Sequence, residues 1–369
     1  MLNFQEIPNR IINGDDSVLD ELLSNYKKMS SFIKIDPKMK KTNEYVKTTA
    51  YIGMCYSKLN MWEESVKFYK MSTDVVYIPD ICKNYSYSLL HNGDIKEGMR
   101  IYDNRYKSEN SDLKLPKLSI PYIREISRFN KSDKVIVINE QGLGDDILFS
   151  RSIHTLSEKV SKVKWKCPES LLGVYKKMFK DLKNVEFFLD ILDEKEVRKY
   201  TCWTSTGDLF SSLSEYLIFE DYVQKSNFDI KDNMNIAISY KTNAVNLIDG
   251  QDLSLKKNID PSIFGDIIKS HNVFNYTVGE TINGIQNYPN PPSYSETRYN
   301  LIKNKIDLSV SIDSSFAHFT AMMGIPTIVL VTDQYHDWRW KYTDEDGYNK
   351  FFKNVKVMDI TEFLNTFVR

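Results

Sequence analysis

Cysteine is scarce in this chain: Cys55, Cys82, Cys167 and Cys202 are its four, and none is part of a CxxC pair. Such spacing excludes a disulfide scaffold and a zinc knuckle, and it suits a reducing compartment. The five histidines, His91, His154, His271, His318 and His336, never fall as HxxxH or HxH. No stretch approaches the 18 or so apolar residues that a bilayer span needs, so no membrane span is expected. Charge of one sign is also missing. Lys and Arg number 49 against 50 Asp and Glu, and the formal charge of −1 argues against a general nucleic-acid binder. The first residues, MLNFQEIPNR, place no apolar run before their charges, so a signal peptide is not expected and the anticipated setting is the cytoplasm. What is present is apolar material for real cores: 41% hydrophobic and 13% aromatic residues in 369. That length predicts two or three units.

The pattern changes near residue 112. Residues 1–112 read as helical hairpins. Asn43–Leu59 is apolar at near-helical spacing, and Trp62, Val66, Tyr69 and Met71 predict an antiparallel partner after Asn60. A second pair, Asp80–Leu90 and Ile95–Tyr106, is split by the turn His91–Asp94, and Leu19–Ile33 predicts a preceding hairpin. The segments NMWEESVKFYK and GDIKEGMRIYD lie 33 residues apart, close to the period of stacked hairpins in a solenoid. Gly53 would let two helices approach, with Tyr56 and Tyr69 filling the groove. Residues 113–130, with Pro116 and Pro121, read as a connector.

From 131 the pattern is α/β. In 131–230, strands are expected at Lys134–Asn139, Lys162–Cys167, Val185–Leu189 and Lys199–Trp203, with helices at Asp145–Val160 and Ser170–Phe179. In 231–369, strands are expected at Asn233–Tyr240, Val273–Val278, Leu308–Ile312, Thr327–Val331 and Val355–Met358. Helices are expected at Pro261–Ser270, Ser295–Asn304, Ser314–Met323 and Thr361–Phe367. Two such halves in series predict two Rossmann-like domains facing across a cleft, with a site at the carboxyl ends of the strands.

Two turns carry chemical signals. The first, Glu140-Gln141-Gly142-Leu143-Gly144-Asp145-Asp146, lacks the third glycine of a dinucleotide fingerprint, since residue 147 is Ile. Carboxylates in a first helical turn would repel a pyrophosphate, yet they are held ionised there by free amides. Asp145 could therefore be a general base, with the glycines admitting a substrate hydroxyl, or it could simply cap the helix. Arg151 and His154 read as helix-surface or supporting groups. The second signal is Asp313-Ser314-Ser315-Phe316-Ala317-His318, where amides and hydroxyls at a helix start suit a diphosphate. Asp313 could cap or orient, and His318 could donate to phosphate or pack. Lys241, at a strand end, could neutralise a diphosphate. The aromatic segment Asp333–Tyr342, with Trp338, Arg339, Trp340 and Lys341, reads either as a plug or as a cleft wall. Trp203–Asp208 reads as a polar loop.

In this order, EQGLGDDILFSR (140–151), SVSIDSSFAHFTAMMGIPTIVL (309–330) and DWRW (337–340) resemble the tetratricopeptide-repeat glycosyltransferases. Their catalytic part is similar to ADP-heptose lipopolysaccharide heptosyltransferases and, more remotely, to O-linked N-acetylglucosamine transferases. The likeness covers about 40–106 and 131–358; residues 240–257 depart from the family pattern in lacking arginine. The resemblance implies a B-type glycosyltransferase fold, with 131–230 on the acceptor side and 231–369 on the donor side. It implies inverting transfer from a nucleotide-diphospho-sugar to a hydroxyl of a glycan or protein, with no metal and no other cofactor. Asp145 would be the base. Lys241, Asp313, Ser314, Ser315, His318 and Arg339 would meet the donor, and Gln141, Gly142, Gly144, Trp338 and Trp340 would line the cleft. The repeats would serve a protein partner or self-association. Two rival readings stand beside it: a degenerate transferase acting as a binding scaffold, and a Rossmann-type methyltransferase or oxidoreductase using Gly142 and Gly144.

Overall fold

The computed structural model describes residues 2–109, 116–190, 192–213, 228, 231–242, 247–248, 251–252, 254–289, 293–332 and 337–367. They divide into two compact units, the first holding residues 1–116 and the second most of 117–369.

The first unit is helical in 7–107. Helices run over Ile7–Ile12, Ser17–Ile33, Asn43–Lys58, Trp62–Thr73, Pro79–Asn92, Ile95–Ile101 and Asn104–Lys107. Local chemistry sets several ends. Thr42 caps Asn43–Lys58 by accepting from the Tyr45 amide at 3.2 Å, and Asn60, at φ +57°, turns the chain into the next helix. Gly93 closes Pro79–Asn92 at φ +90° in the left-handed region. Gly53 is needed because a Cβ there would stand 3.0 Å from the Tyr69 ring. Between successive helices, buried hydroxyls pair as Thr49 with Ser72 (2.6 Å) and Ser65 with Ser88 (2.8 Å). The expected Ile95–Tyr106 helix is broken after Ile101. The break turns Arg105 inward, where its guanidinium lies over the rings of Tyr102 (4.4 Å) and Tyr106 (4.0 Å).

The second unit contains two parallel sheets. Strands β1 (Lys134–Ile138), β2 (Lys162–Lys166), β3 (Val185–Phe188) and β4 (Cys202–Ser205) form the first, in the order β3-β2-β1-β4. The second contains β5 (Asn235–Ser239), flanked on one side by Asn272–Asn275 and Gln286–Asn287. On its other side lie Leu308–Ile312, Thr327–Val331 and Val355–Asp359. Val135, Ile136 and Val137 are wholly buried, as are Ile236 and Ile238, which explains the uncharged apolar runs. In each sheet the first strand is interior and the order reverses beside it, between β1 and β4 and between β5 and Leu308–Ile312.

Three expectations are corrected here. The helix predicted over Asp145–Val160 is two helices, Leu143–Phe149 and Ser152–Lys159. At the break the hydroxyls of Ser150 and Ser152 donate to the carbonyls of Ile147 (2.8 Å) and Phe149 (2.6 Å), competing with the helical ladder. Trp203–Asp208 is no loop: it finishes β4 and opens the helix Thr206–Leu213, with Thr204, Ser205, Thr206 and Asp208 all buried. Part of the connector also joins the first sheet. The Trp203 amide donates to Pro121 O and the Ile123 amide to Trp203 O, both at 2.9 Å, and Tyr122 stacks on Trp203 at 4.4 Å. Residues 113–115 of that connector lie outside the described residues. Glycine also allows helix Glu169–Met178 to meet helix Tyr294–Lys303, since a Cβ on Gly173 would collide with Ser295 Oγ.

Candidate functional site

The two signal turns come together. The helix Leu143–Phe149 packs on the helix Ser315–Met322, and Gly144 is the residue that permits it. A Cβ at Gly144 would stand 2.7 Å from His318 Cδ2. The expectation that this glycine leaves room for a substrate hydroxyl is thus corrected, because the imidazole occupies that room. Gly142 is exposed and extended, at φ −77° and ψ 167°, and Gln141 beside it is half-buried at φ +63°.

Asp145, at the start of its helix, forms an ion pair with Arg339 Nη2. Arg339 in turn grips both oxygens of Asp337 through Nη1, at 2.9 and 3.1 Å, while lying over the Trp338 ring at 4.7 Å. Asp337 also accepts from the Arg339 amide at 2.9 Å, capping the short helix Trp338–Lys341. The Asp145 and Arg339 side chains are only 20% and 13% exposed. Burial is the largest influence on Asp145 and pushes its carboxyl above the ordinary range, with Arg339 acting in the opposite direction.

Trp338 and Trp340 do not line open space. Their indoles are buried, and Trp340 Nε1 donates to Asp313 Oδ1 at 2.7 Å. The wall reading of these two residues is corrected on that ground; Asp333 to His336 of the same segment lie outside the described residues. Asp313 is held from a second direction by the ammonium of Lys257, at 2.5 Å, and both are largely buried. It therefore joins Lys257 to Trp340 instead of capping the Ser315 helix. His318 is 3% exposed, packed against Trp340 (4.5 Å) and Phe352 (5.7 Å). Burial lowers its pKa to about 3, so the ring is neutral at physiological pH. Ser315 Oγ accepts from Tyr294 OH at 2.6 Å, and Ser314 Oγ lies 3.1 Å from Ser311 Oγ. Lys241 lies just past the end of β5, at the reversal point of the second sheet, and pairs with Glu280. Arg151 donates to Phe351 O, and His154 packs on Phe179 at 5.1 Å, so both support the fold around the site.

Three participants escaped sequence reading. Glu140 is buried, and its Oε1 accepts from Ser205 Oγ at 2.8 Å and the Gly207 amide at 2.9 Å, bridging the ends of β1 and β4. Lys257 carried no signal, because its partner is far away in sequence. Asp337 could have been found as a capping aspartate one residue before the helix. Among the described residues, no group of three or more His, Cys, Asp or Glu is placed to hold a metal ion, and no helix is long and apolar enough to cross a membrane.

No family model matches the chain, and no curated protein matches it. Among solved structures, it is similar to the dodecameric iron-containing heptosyltransferase TibC in complex with ADP-D-beta-D-heptose. Identity is 9% and the TM-score 0.37, over 61% of this chain and 66% of TibC. A second TibC structure, from enterotoxigenic E. coli H10407, gives 11% identity and 0.37 over the same shares. A Thermobaculum terrenum O-GlcNAc transferase gives 10% identity and a TM-score of 0.27, over 99% of this chain and 89% of that one. The chain thus spans 66% of the TibC chain length.

Proposed function

We propose that the protein is a glycosyltransferase of the B type, moving a sugar with inversion from a nucleotide-diphospho-sugar to a hydroxyl of a glycan or protein. The observation that carries this reading is the meeting of an acidic helix start from one parallel sheet with a hydroxyl-bearing helix start from the other. In doubly wound sheets, ligands bind outside the carboxyl ends of strands where their order reverses. In the second sheet the order reverses between β5, which leads into Lys241, and Leu308–Ile312, which leads into Ser314. The donor diphosphate would lie there, taking the Lys241 ammonium, the hydroxyls of Ser314 and Ser315, and the first amides of the Ser315 helix.

Asp145 would then take the proton of the acceptor hydroxyl as that oxygen attacks the anomeric carbon in line. An alkanol is far less acidic than any carboxyl, so proton transfer must accompany attack. Before this, Asp145 must leave Arg339. The freed guanidinium would turn to the departing phosphate, which gives Arg339 two alternating anionic partners. His318, neutral and buried, would act by packing or by hydrogen bonding without charge. No metal is required in this scheme, and the helical region would recruit a partner or a second copy. The reading places the protein in the cytoplasm.

The Asp145–Arg339 pair also favours one second reading, a scaffold whose base is permanently neutralised. Thermal-shift measurements across UDP-, ADP-, GDP-, dTDP- and CMP-linked sugars, without metal, separate the two. The transferase reading expects one nucleotide class to raise the melting temperature, with the effect lost in Lys241→Ala and Ser314→Ala. It also expects sugar release from that donor, lost in Asp145→Asn. Donor binding without release in any acceptor screen favours the scaffold. Binding of NAD or S-adenosylmethionine in place of sugar nucleotides would overturn both.

A further inference from the structure

Asp146 is adjacent to Asp145 but lies in a different environment. Its side chain is fully buried, on the inner side of the helix Leu143–Phe149. Oδ2 accepts from the hydroxyl of Tyr175, itself fully buried, at 2.8 Å, whereas Oδ1 has no hydrogen-bond partner among the described residues. The titratable groups that face it are Tyr175 from the helix Glu169–Met178, Cys167 from the end of β2, Glu140 from the preceding turn, and Asp145. All four are acids. An ionised carboxylate would thus stand in an apolar interior with one oxygen bare and negative neighbours beside it, an arrangement that strongly favours the protonated form.

We propose that Asp146 carries a proton below neutral pH and is a positioning switch beneath Asp145, whose helix loosens when that proton leaves. Burial, as the largest cause, raises the carboxyl to about 7, with Tyr175 opposing the shift and Asp145 and Glu140 adding to it. In the unfolded chain the same group titrates near ~4. Between these values this group holds one proton more in the folded state than in the unfolded state, so its contribution to stability must fall as pH rises from about 4 to 7 and level off above. The inference does not depend on what the site binds.

The full-length chain and its Asp146→Asn variant, a neutral isostere, provide the test. With urea denaturation followed at pH 5, 6, 7 and 8, the folding constant of the wild type relative to the variant should fall about eightfold from pH 5 to 6, about fivefold from 6 to 7, and flatten by 8. Hydrogen exchange of the amides in 143–149, corrected for the intrinsic rate, should rise through pH 6–8 in the wild type and stay level in Asp146→Asn. The carboxyl ¹³C resonance absent from the variant should titrate near 7, and Tyr175→Phe, which removes the one donor favouring the anion, should move that midpoint upward. A midpoint near 4, parallel stability curves for the two proteins, or exchange in 143–149 insensitive to the substitution would each overturn the proposal. If Asp146→Asn fails to fold, the wild-type titration and the direction of the Tyr175→Phe shift decide alone.

Discussion

The crevices where the two parallel sheets reverse their strand order are built alike and filled oppositely. In the first sheet the crevice between β1 and β4 is already bridged by an anion of the chain itself, since Glu140 accepts from Ser205 and from the Gly207 amide at the start of the Thr206 helix. In the second, the Ser315 helix begins with Ser314 as its N-cap and no side-chain cap bond, and Lys241 stands at the end of β5. A helix start is attractive to any anion. What distinguishes the halves is which one satisfies that attraction internally. The lesson is that a strand-turn-helix unit is a ligand site only when its own sequence leaves the helix start unclaimed.

Five substitutions break or sharpen this contrast. The largest effect is expected from Arg339→Leu, which leaves Asp145 part-buried without its cation; removing one partner of such a pair costs about 3–5 kcal/mol. Unfolding in urea should show that loss grow with rising pH, because the stranded carboxyl then has to ionise alone. Gly144→Ala comes next. Its methyl would meet the His318 ring at 2.7 Å, and prising apart a packed helix pair costs about 1–3 kcal/mol. Gly142→Ala, whose methyl would meet only Asp145 Oδ2 at 3.6 Å, should be nearly silent in the same melts.

Glu140→Gln should cost about 1–3 kcal/mol, as the charge-assisted bonds to Ser205 and Gly207 become neutral ones. Its sharper readout is phosphate binding followed by NMR of the Gly207 amide, which should respond in the variant and not in the wild type. No response in the variant would remove the contrast between the halves. A small effect is also expected of Lys241→Ala. Its pair with Glu280 is well exposed, and such pairs are worth about 0–1 kcal/mol. A stability loss well beyond that range would make Lys241 a structural residue.

The strands were legible in the sequence wherever they are apolar on both faces, as in KVIVI and TIVLV, because parallel strands need such runs. Polar interiors were not. Thr204, Ser205 and Thr206 look like a loop as letters, yet the buried Ser205 hydroxyl serves Glu140, and that requirement becomes visible only once β1 and β4 are neighbours. The breaks at Ser150 and after Ile101 were equally hidden, since each depends on a side chain finding a partner the periodicity cannot name. In the site, the two turns could be read from their residue types and their places after strands. Their mutual contact could not. Lys257 and Asp313 are joined by burial, and the identical letters at 145 and 146 conceal one carboxylate aimed at a guanidinium and another buried against a tyrosine.

The Asp145–Arg339 contact spans 194 residues of sequence. A ribosome adding about 5–20 residues per second needs roughly 10–40 s to make the second partner after the first. For that interval the nascent first sheet carries an acidic helix without its counter-charge and without the helix that Gly144 is shaped to receive. The Leu143 helix cannot reach its final packing during synthesis of its own half, and its settling must await the last quarter of the chain.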